Sequence, residues 1–255
     1  MRLFTPGVFA LFLLVPSQSK AQFTYPPQVP GAEEKIYKTV DDVELKMWVL
    51  KPDNWSTSDA RPAILFFFGG GWKGGSPAQF IPQSQYLAGR GMVAIVVDYR
   101  VASRHKTLAK DCVADARDAM RFVRKEAKNM GIDPARIAAG GGSAGGHIAA
   151  CLGVIDKDPE SKPNAMALFN PACVLAPFEG VNYWEKDRSE EMRARMGIDP
   201  VALSPVHQVT KTAVPCIIFH GEADSTVPFS TAEIFTTKMK EAGVRCDLMG
   251  YPGEG

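Results

Sequence analysis

Histidine is scarce in this sequence, four in 255 residues, and cysteine is little commoner at five. The cysteines, Cys112, Cys151, Cys173, Cys216 and Cys246, are odd in number, widely spaced and without a C-x-x-C pair. That pattern offers neither a zinc-ligand set nor a readable disulfide framework, and it suits small buried hydrophobes. An excess of either charge is also lacking. With 29 Lys and Arg against 28 Asp and Glu the formal net charge is +1, so nothing electrostatic calls for nucleic acid or an acidic membrane as partner. No repeat and no low-complexity tract interrupts the chain. What is present, 45% hydrophobic residues over 255 positions, suffices for one large α/β domain, or two small ones, with a substantial core.

Near the N-terminus a basic Arg2 precedes a short apolar run, Val8 to Val15, and Ser19-Lys20-Ala21 closes it with small residues at the positions a signal peptidase reads. The run is too short to cross a bilayer. Residues 1–21 are therefore expected to be a secretory signal peptide, and the protein to be secreted or periplasmic, with no stable membrane insertion. Residues 22–34, containing Tyr25-Pro26-Pro27 and Pro30, are expected to form an extended, poorly ordered lead. Residues 35–255 are the expected folded domain.

Apolar and polar residues alternate over Ile36–Val40 and Glu44–Leu50 around Asp41-Asp42, which predicts an antiparallel hairpin. Buried strands are predicted at Ala63–Phe68, Met92–Val97, the run into Gly141, Ala165–Phe169, Cys216–Phe219 and Arg245–Met249. Helical spacing covers Ala78–Arg90, Leu108–Asn129 and Thr231–Ala242. A charged helical segment, Ser189–Met196, lies in the irregular stretch Pro171–Pro205. Strands alternating with helices after an opening hairpin predict the α/β class, a mostly parallel sheet with helices on both faces. Ligands in such folds bind at the carboxyl ends of the strands.

Three motifs fall at those ends. Ile137 to Gly140 runs as a strand into Gly141-Gly142-Ser143-Ala144-Gly145 and then an Ala-rich helical pattern, the G-x-S-x-G arrangement that raises a serine on a strained strand-to-helix turn. Gly141, Gly145 and Gly146 let the strand and helix backbones approach closely. Phe68-Gly69-Gly70-Gly71-Trp72 follows one buried strand, and His220-Gly221-Glu222-Ala223-Asp224 follows another. In these motifs and their order the chain resembles the α/β-hydrolase superfamily, within it the esterase/lipase branch with an H-G-G-G-W motif and a G-x-S-A-G-G elbow. Secreted acetyl-xylan and feruloyl esterases belong to that neighbourhood, and the resemblance covers roughly Lys35 to Gly255.

The resemblance implies Ser143 as nucleophile, the N–H groups of Gly70, Gly71 and Ala144 as oxyanion hole, and Asp224, with Glu222 as fallback, as the acid that orients a catalytic histidine. It implies no metal and no organic cofactor. Phe68 stands where relatives usually have His, which should alter loop packing and little chemistry. Gly142 replaces a frequent Asp, which should remove a supporting contact. Relatives continue their last strand into a Pro-Gly-x-Gly-His sequence, whereas this chain reads Tyr251-Pro252-Gly253-Glu254-Gly255 and stops. The expectation is a chain without its catalytic histidine and final helix, and nearly inactive as it stands. His147 and His220 are expected to be packed and bracing residues, and His105 and His207 surface or pocket-rim residues.

Trp72, the loop after Arg100, and the irregular Pro171–Pro205 stretch with Tyr183 and Trp184 are expected to shape the substrate pocket. The short lead leaves no large lid, which suggests small-molecule esters with short acyl groups or acyl groups on polysaccharide. Two other readings stay open: a serine peptidase of the oligopeptidase type, and a non-catalytic binding protein on the same fold. Oligomeric state is not legible.

Overall fold

A computed structural model describes residues 24–181 and 186–255 of the chain, side chains from Ser189 onward in the second stretch. The signal-peptide reading of residues 1–21 and the pocket reading of Tyr183 and Trp184 lie outside the described residues. The predicted hairpin is β1 (Glu33–Val40) and β2 (Val43–Leu50), closed by Asp41 at φ +51°. The buried runs become β3 (Arg61–Phe67), β4 (Val93–Val97), β5 (Ile132–Gly142), β6 (Ala165–Phe169), β7 (Cys216–Gly221) and β8 (Cys246–Tyr251). They form one eight-stranded sheet in the order β1-β2-β4-β3-β5-β6-β7-β8. β1 and β2 pair antiparallel, β2 meets β4 antiparallel, and every other neighbouring pair is parallel.

The helices are α1 (Ile81–Ala88), α2 (Ala102–His105), α3 (Ala109–Lys125), α4 (Ala144–Ala150), α5 (Lys186–Met196), α6 (Pro200–Leu203), α7 (Pro205–Gln208) and α8 (Phe229–Glu241). On one face of the sheet Leu65, Phe67 and Ile137 pack with Val113 and Met120 of α3, Ile148 of α4 and Phe235 of α8 in one buried cluster. Amphipathic spacing puts those α3 residues on one stripe. The other face carries Trp48, Ile64, Phe66 and Val96, with Phe80 and α1 over them. Beyond α1, Ala167, Phe169, Ile217 and Phe219 line an open apolar groove of about 610 Å³. Helices thus lie on both faces, as expected, but the second cover is partial.

Three expectations need adjusting. The predicted helix Ala78–Arg90 begins as a tight turn, Pro77–Phe80, before α1, because Pro82 in the first turn of α1 supplies no N–H. β5 starts at Ile132, where that residue pairs with Arg61 across an irregularity in the register. The lead is docked: the Tyr25 hydroxyl donates to Asp98 Oδ2 at 2.8 Å, the Arg104 guanidinium lies 3.7 Å over its ring, and Ser76 Oγ donates to Thr24 O. An aromatic with a polar tip found a buried carboxylate that composition could not disclose. All five cysteines are buried and unpaired by disulfides.

Candidate active site

The strand β5 delivers Ser143 to the carboxyl end of the sheet at φ +52°, ψ −116°. A β-carbon in that region costs about 1–3 kcal/mol and survives only where surrounding bonds hold it. Those bonds are present: Ser143 N–H donates to Phe169 O at 2.9 Å, and Ser143 O accepts from His147 N at 2.9 Å and Ala172 N at 3.3 Å. α4 can start there only because Gly145 and Gly146 in its first turn carry no side chains. A Cβ on Gly145 would stand 2.0 Å from Phe67 O, and one on Gly141 2.5 Å from the same atom. The serine is half-buried, not enclosed.

The triple glycine folds against this elbow. A Cβ on Gly69 would lie 3.3 Å from Ser143 Cβ, and Gly69 N–H donates to Gln79 Oε1. Gly70 at φ +134° and Gly71 at φ +61° turn the loop, closed by Lys73 N–H and Gly74 N–H donating to Gly70 O at 3.1 and 3.2 Å. Among the described residues no acceptor meets the N–H of Gly70 or Gly71. Ala144 N–H opens α4, where the first turn has no intrahelical acceptor. Gly70, Gly71, Trp72, Ser143 and Ala144 line one pocket of about 300 Å³. Of the predicted site residues, these five are brought together.

The two departures from the motif have visible counterparts. Phe68 stacks on Tyr99, ring centroids 4.1 Å apart, and Tyr99 hydroxyl donates to Phe68 O at 2.6 Å, so an aromatic pair braces the loop. Beside Gly142 stands the Phe80 ring, 3.3 Å from where a Cβ would be.

Asp224 lies in the turn after β7, its Oδ1 accepting from Thr226 N at 2.8 Å and Val227 N at 2.9 Å. Thr226 and Val227 line the same pocket as Ser143. Glu222 is exposed and leans toward Gly250 of β8. The turn after β8 docks on the acid loop: Ala223 N–H donates to Glu254 O at 2.8 Å, and a Cβ on Gly255 would stand 3.0 Å from Ala223 O.

None of the four histidines lines the pocket. His147 is buried, accepts from Trp72 Nε1 at Nδ1 (3.1 Å) and donates from Nε2 to Leu203 O (2.8 Å). Burial pulls its pKa down to about 4, the carbonyl of Leu203 opposing. His220 donates to Val227 O at 2.8 Å and lies 3.7 Å from Asp224 Oδ2. His105 accepts from Val101 N–H, held below its ordinary pKa by burial and by Arg104 and Arg100. His207 bonds Ser204 Oγ. Packing and bracing, as expected, account for the first two. The sequence reading placed a pocket wall in Pro171–Pro205 but did not single out Met192 and Arg195, which α5 brings to the pocket. Their i, i+3 spacing was the available signal, hidden in a segment charged on every side.

The BD-FAE family pattern matches residues 49–239. The chain is similar to a thermophilic esterase from the Planctomycetes species Thermogutta terrifontis, with TM-score 0.85 and 50% identity over 91% of this chain and 85% of that one. The same esterase 2 phosphonylated by sarin superposes with TM-score 0.86 at 49% identity, covering 91% and 87%. It is also recorded with butyrate and with propionate bound. Esterase LipC of Mycobacterium tuberculosis is 29% identical over 80% of this chain and 55% of its own length. The chain spans about half the length of the curated relatives it matches. On the extent of that family match and the likeness to solved esterases, this chain belongs to the BD-FAE family, on the α/β-hydrolase fold its esterase relatives share.

Proposed function

We propose that the protein is a serine carboxylic-ester hydrolase for short acyl esters, including acyl groups carried on polysaccharide. The observation that carries this reading is the strained, half-buried Ser143 sharing one pocket with the free N–H groups of Gly70 and Gly71. Ser143 Oγ attacks the acyl carbon, and the carbonyl oxygen becomes an anion held by Gly70, Gly71 and Ala144 N–H groups. Each such donor is worth about 10²–10³ in turnover. The alcohol departs and water releases the acid from the acyl-enzyme. The pocket of about 300 Å³ favours small acyl groups, and the butyrate and propionate on the Thermogutta esterase support the same range.

The base is the remaining element of the reading. All four histidines are engaged elsewhere, while the Tyr251–Gly255 turn lies against the loop of Asp224. A histidine joined to that turn would stand beside the acid, which would fix its tautomer. Without it the rate falls to the residual of oxyanion hole and binding, roughly 10³–10⁴ over water. Export of the mature protein belongs to the same reading and agrees with extracellular polysaccharide as substrate.

Two measurements test it. Expressed to the natural stop codon, the protein should hydrolyse p-nitrophenyl acetate in preference to a peptide anilide, and take a fluorophosphonate label that Ser143→Ala abolishes. Ending at Gly255, it should be slower by about 10³-fold or more. Absence of both label and hydrolysis in the longer protein defeats the proposal.

A further inference from the structure

The pocket around Ser143 holds one charged side chain among its described lining residues, Arg195 of α5. That side chain is 23% exposed, and its Nη1 lies 3.7 Å from where a Cβ on Gly71 would stand. The guanidinium therefore hangs directly over the oxyanion loop. Its Nη2 donates to Glu191 one helical turn back, while its Nε is buried with no hydrogen-bond partner. Glu191 is a weak counter-charge: it is 61% exposed and lies 3.9 Å from Lys73 Nζ. Nη1 has no acceptor among the described residues.

A guanidinium stays charged at every working pH and presents its donors in a rigid fork. Turned into a small pocket walled by Trp72, Val174, Leu175, Met192 and Val227, it is poorly matched to a plain acyl chain, which leaves Nη1 unpaired and partly desolvated. A carboxylate there accepts a short charge-assisted bond instead. The geometry points to Arg195 as the residue that selects esters bearing a carboxylate a few bonds from the scissile carbonyl, an inference that rests on the ester-hydrolase reading of Ser143. The reach is suitable. Gly69 abuts Ser143 and Gly71 abuts Arg195, and successive Cα atoms are about 3.8 Å apart. Ser143 and Arg195 line the same pocket of about 300 Å³, so the free carboxylate of a half-ester as short as a succinyl or glutaryl one, bound at the serine, falls in the space the guanidinium faces. The carboxylate can sit on the acyl side, as in a half-ester of a dicarboxylic acid, or on the alcohol side, as in the ester of a hydroxy acid.

The test has a binding arm and a kinetic arm. By calorimetry, succinate should bind the wild-type chain at least about tenfold more tightly than butyrate, from which it differs by a carboxylate in place of the terminal methyl. Arg195→Gln should erase that preference with the circular dichroism spectrum unchanged, and Arg195→Lys should restore part of it. Equal binding of the two acids to wild type, or a preference that survives Arg195→Gln, overturns the inference. This arm needs no turnover, so it decides the role of Arg195 even if no ester is hydrolysed, the result that would sink the hydrolase reading itself. In the protein that hydrolyses p-nitrophenyl acetate, monomethyl succinate is compared with methyl butyrate, and O-acetyl-lactate with isopropyl acetate. Arg195→Gln should raise KM for the charged member of one pair about tenfold relative to its neutral partner, and that pair identifies the side carrying the carboxylate. Ratios unmoved in both pairs, alongside intact hydrolysis of the neutral esters, overturn the inference and leave the hydrolase reading standing.

Discussion

Trp72 Nε1 donates to His147 Nδ1 and His147 Nε2 donates to Leu203 O, so both ring nitrogens are engaged in the neutral state. Charging the ring would turn the Nδ1 acceptor into a donor facing the indole N–H. Burial holds its pKa near 4 against an ordinary 6.5. A depressed histidine stabilises the fold fully above pH 6.5, where neither state is protonated. That contribution drains as pH falls toward 4, because the unfolded chain takes the proton first. About 3 kcal/mol is at stake. The stability gap between wild type and His147→Gln in urea titrations should be widest at pH 7 and close by pH 4; a constant gap would mean that the ring does not titrate as described. Gly70→Ala acts on chemistry too, since its Cβ would meet Gly74 O at 2.3 Å at φ +134°. It should lower kcat on p-nitrophenyl acetate by about 10²–10³ and lower Tm as well, because a side chain at positive φ against a backbone oxygen strains the loop. Ser143 and the three glycines were legible because a tight turn and a close backbone approach each demand glycine in a short, local pattern. Arg195 was not, since a charged residue in Ser189–Met196 reads as a solvated face until the helix is seen lying over the loop.

At the scale of elements, α4 is set by contact between backbones. The Cβ of a Gly145→Ala variant would sit 2.0 Å from Phe67 O and 2.5 Å from Phe67 C, atoms that have no rotamer to escape into. α4 has to lift from β3, which should cost about 3 kcal/mol and displace Ser143. Urea denaturation and the rate of fluorophosphonate labelling should both register it, and an unchanged labelling rate would mean that the elbow does not depend on this packing. β7 and β8 pair in parallel with Cys216 opposite Cys246, their Sγ atoms 3.0 Å apart, and Cys112, Cys151 and Cys173 are equally enclosed. Burial pushes the Cys112, Cys151 and Cys173 thiols well above their ordinary pKa. None of the five should react quickly with Ellman's reagent in the native protein, and all five should react in guanidinium; fewer than five would reveal a disulfide. The parallel strands were readable as unbroken apolar runs. The four-residue helices α2, α6 and α7 were not, because a single turn has no periodicity to detect.

Across the whole molecule the two faces of the sheet are covered unequally. α3, α4 and α8 bury one face, whereas on the other α1 shields β2 and β4 and leaves the β6–β7 side open. Alternation of strands and helices announced the class of fold, and the expected lack of a final helix implied an uncovered strand; that β6 and β7 are the open ones was not legible, since they read the same whether one side is covered or both. The open strands are the ones that hold the site: Phe169 O anchors Ser143 N–H, Asn170 N–H bonds Phe219 O, and β7 runs into the Asp224 loop. Their inner residues are buried, and their outer ones, Ala167, Phe169, Ile217 and Phe219, are half-exposed and form an apolar groove of about 610 Å³. Parallel strands are ordinarily buried on both faces, and a contiguous apolar patch of this kind attracts apolar ligands. The native chain should therefore bind anilinonaphthalene sulfonate with enhanced fluorescence well below its unfolding transition. Ile217→Asn should cut that signal by about half or more while costing about 1 kcal/mol, because Ile217 is only partly withdrawn from water. The Phe169–Phe219 ring contact, 5.2 Å between centroids, remains to hold the strands together in the variant. A native chain that leaves the dye dark would show that the groove is filled from within by rearranged side chains, and a variant as bright as wild type would place the dye elsewhere.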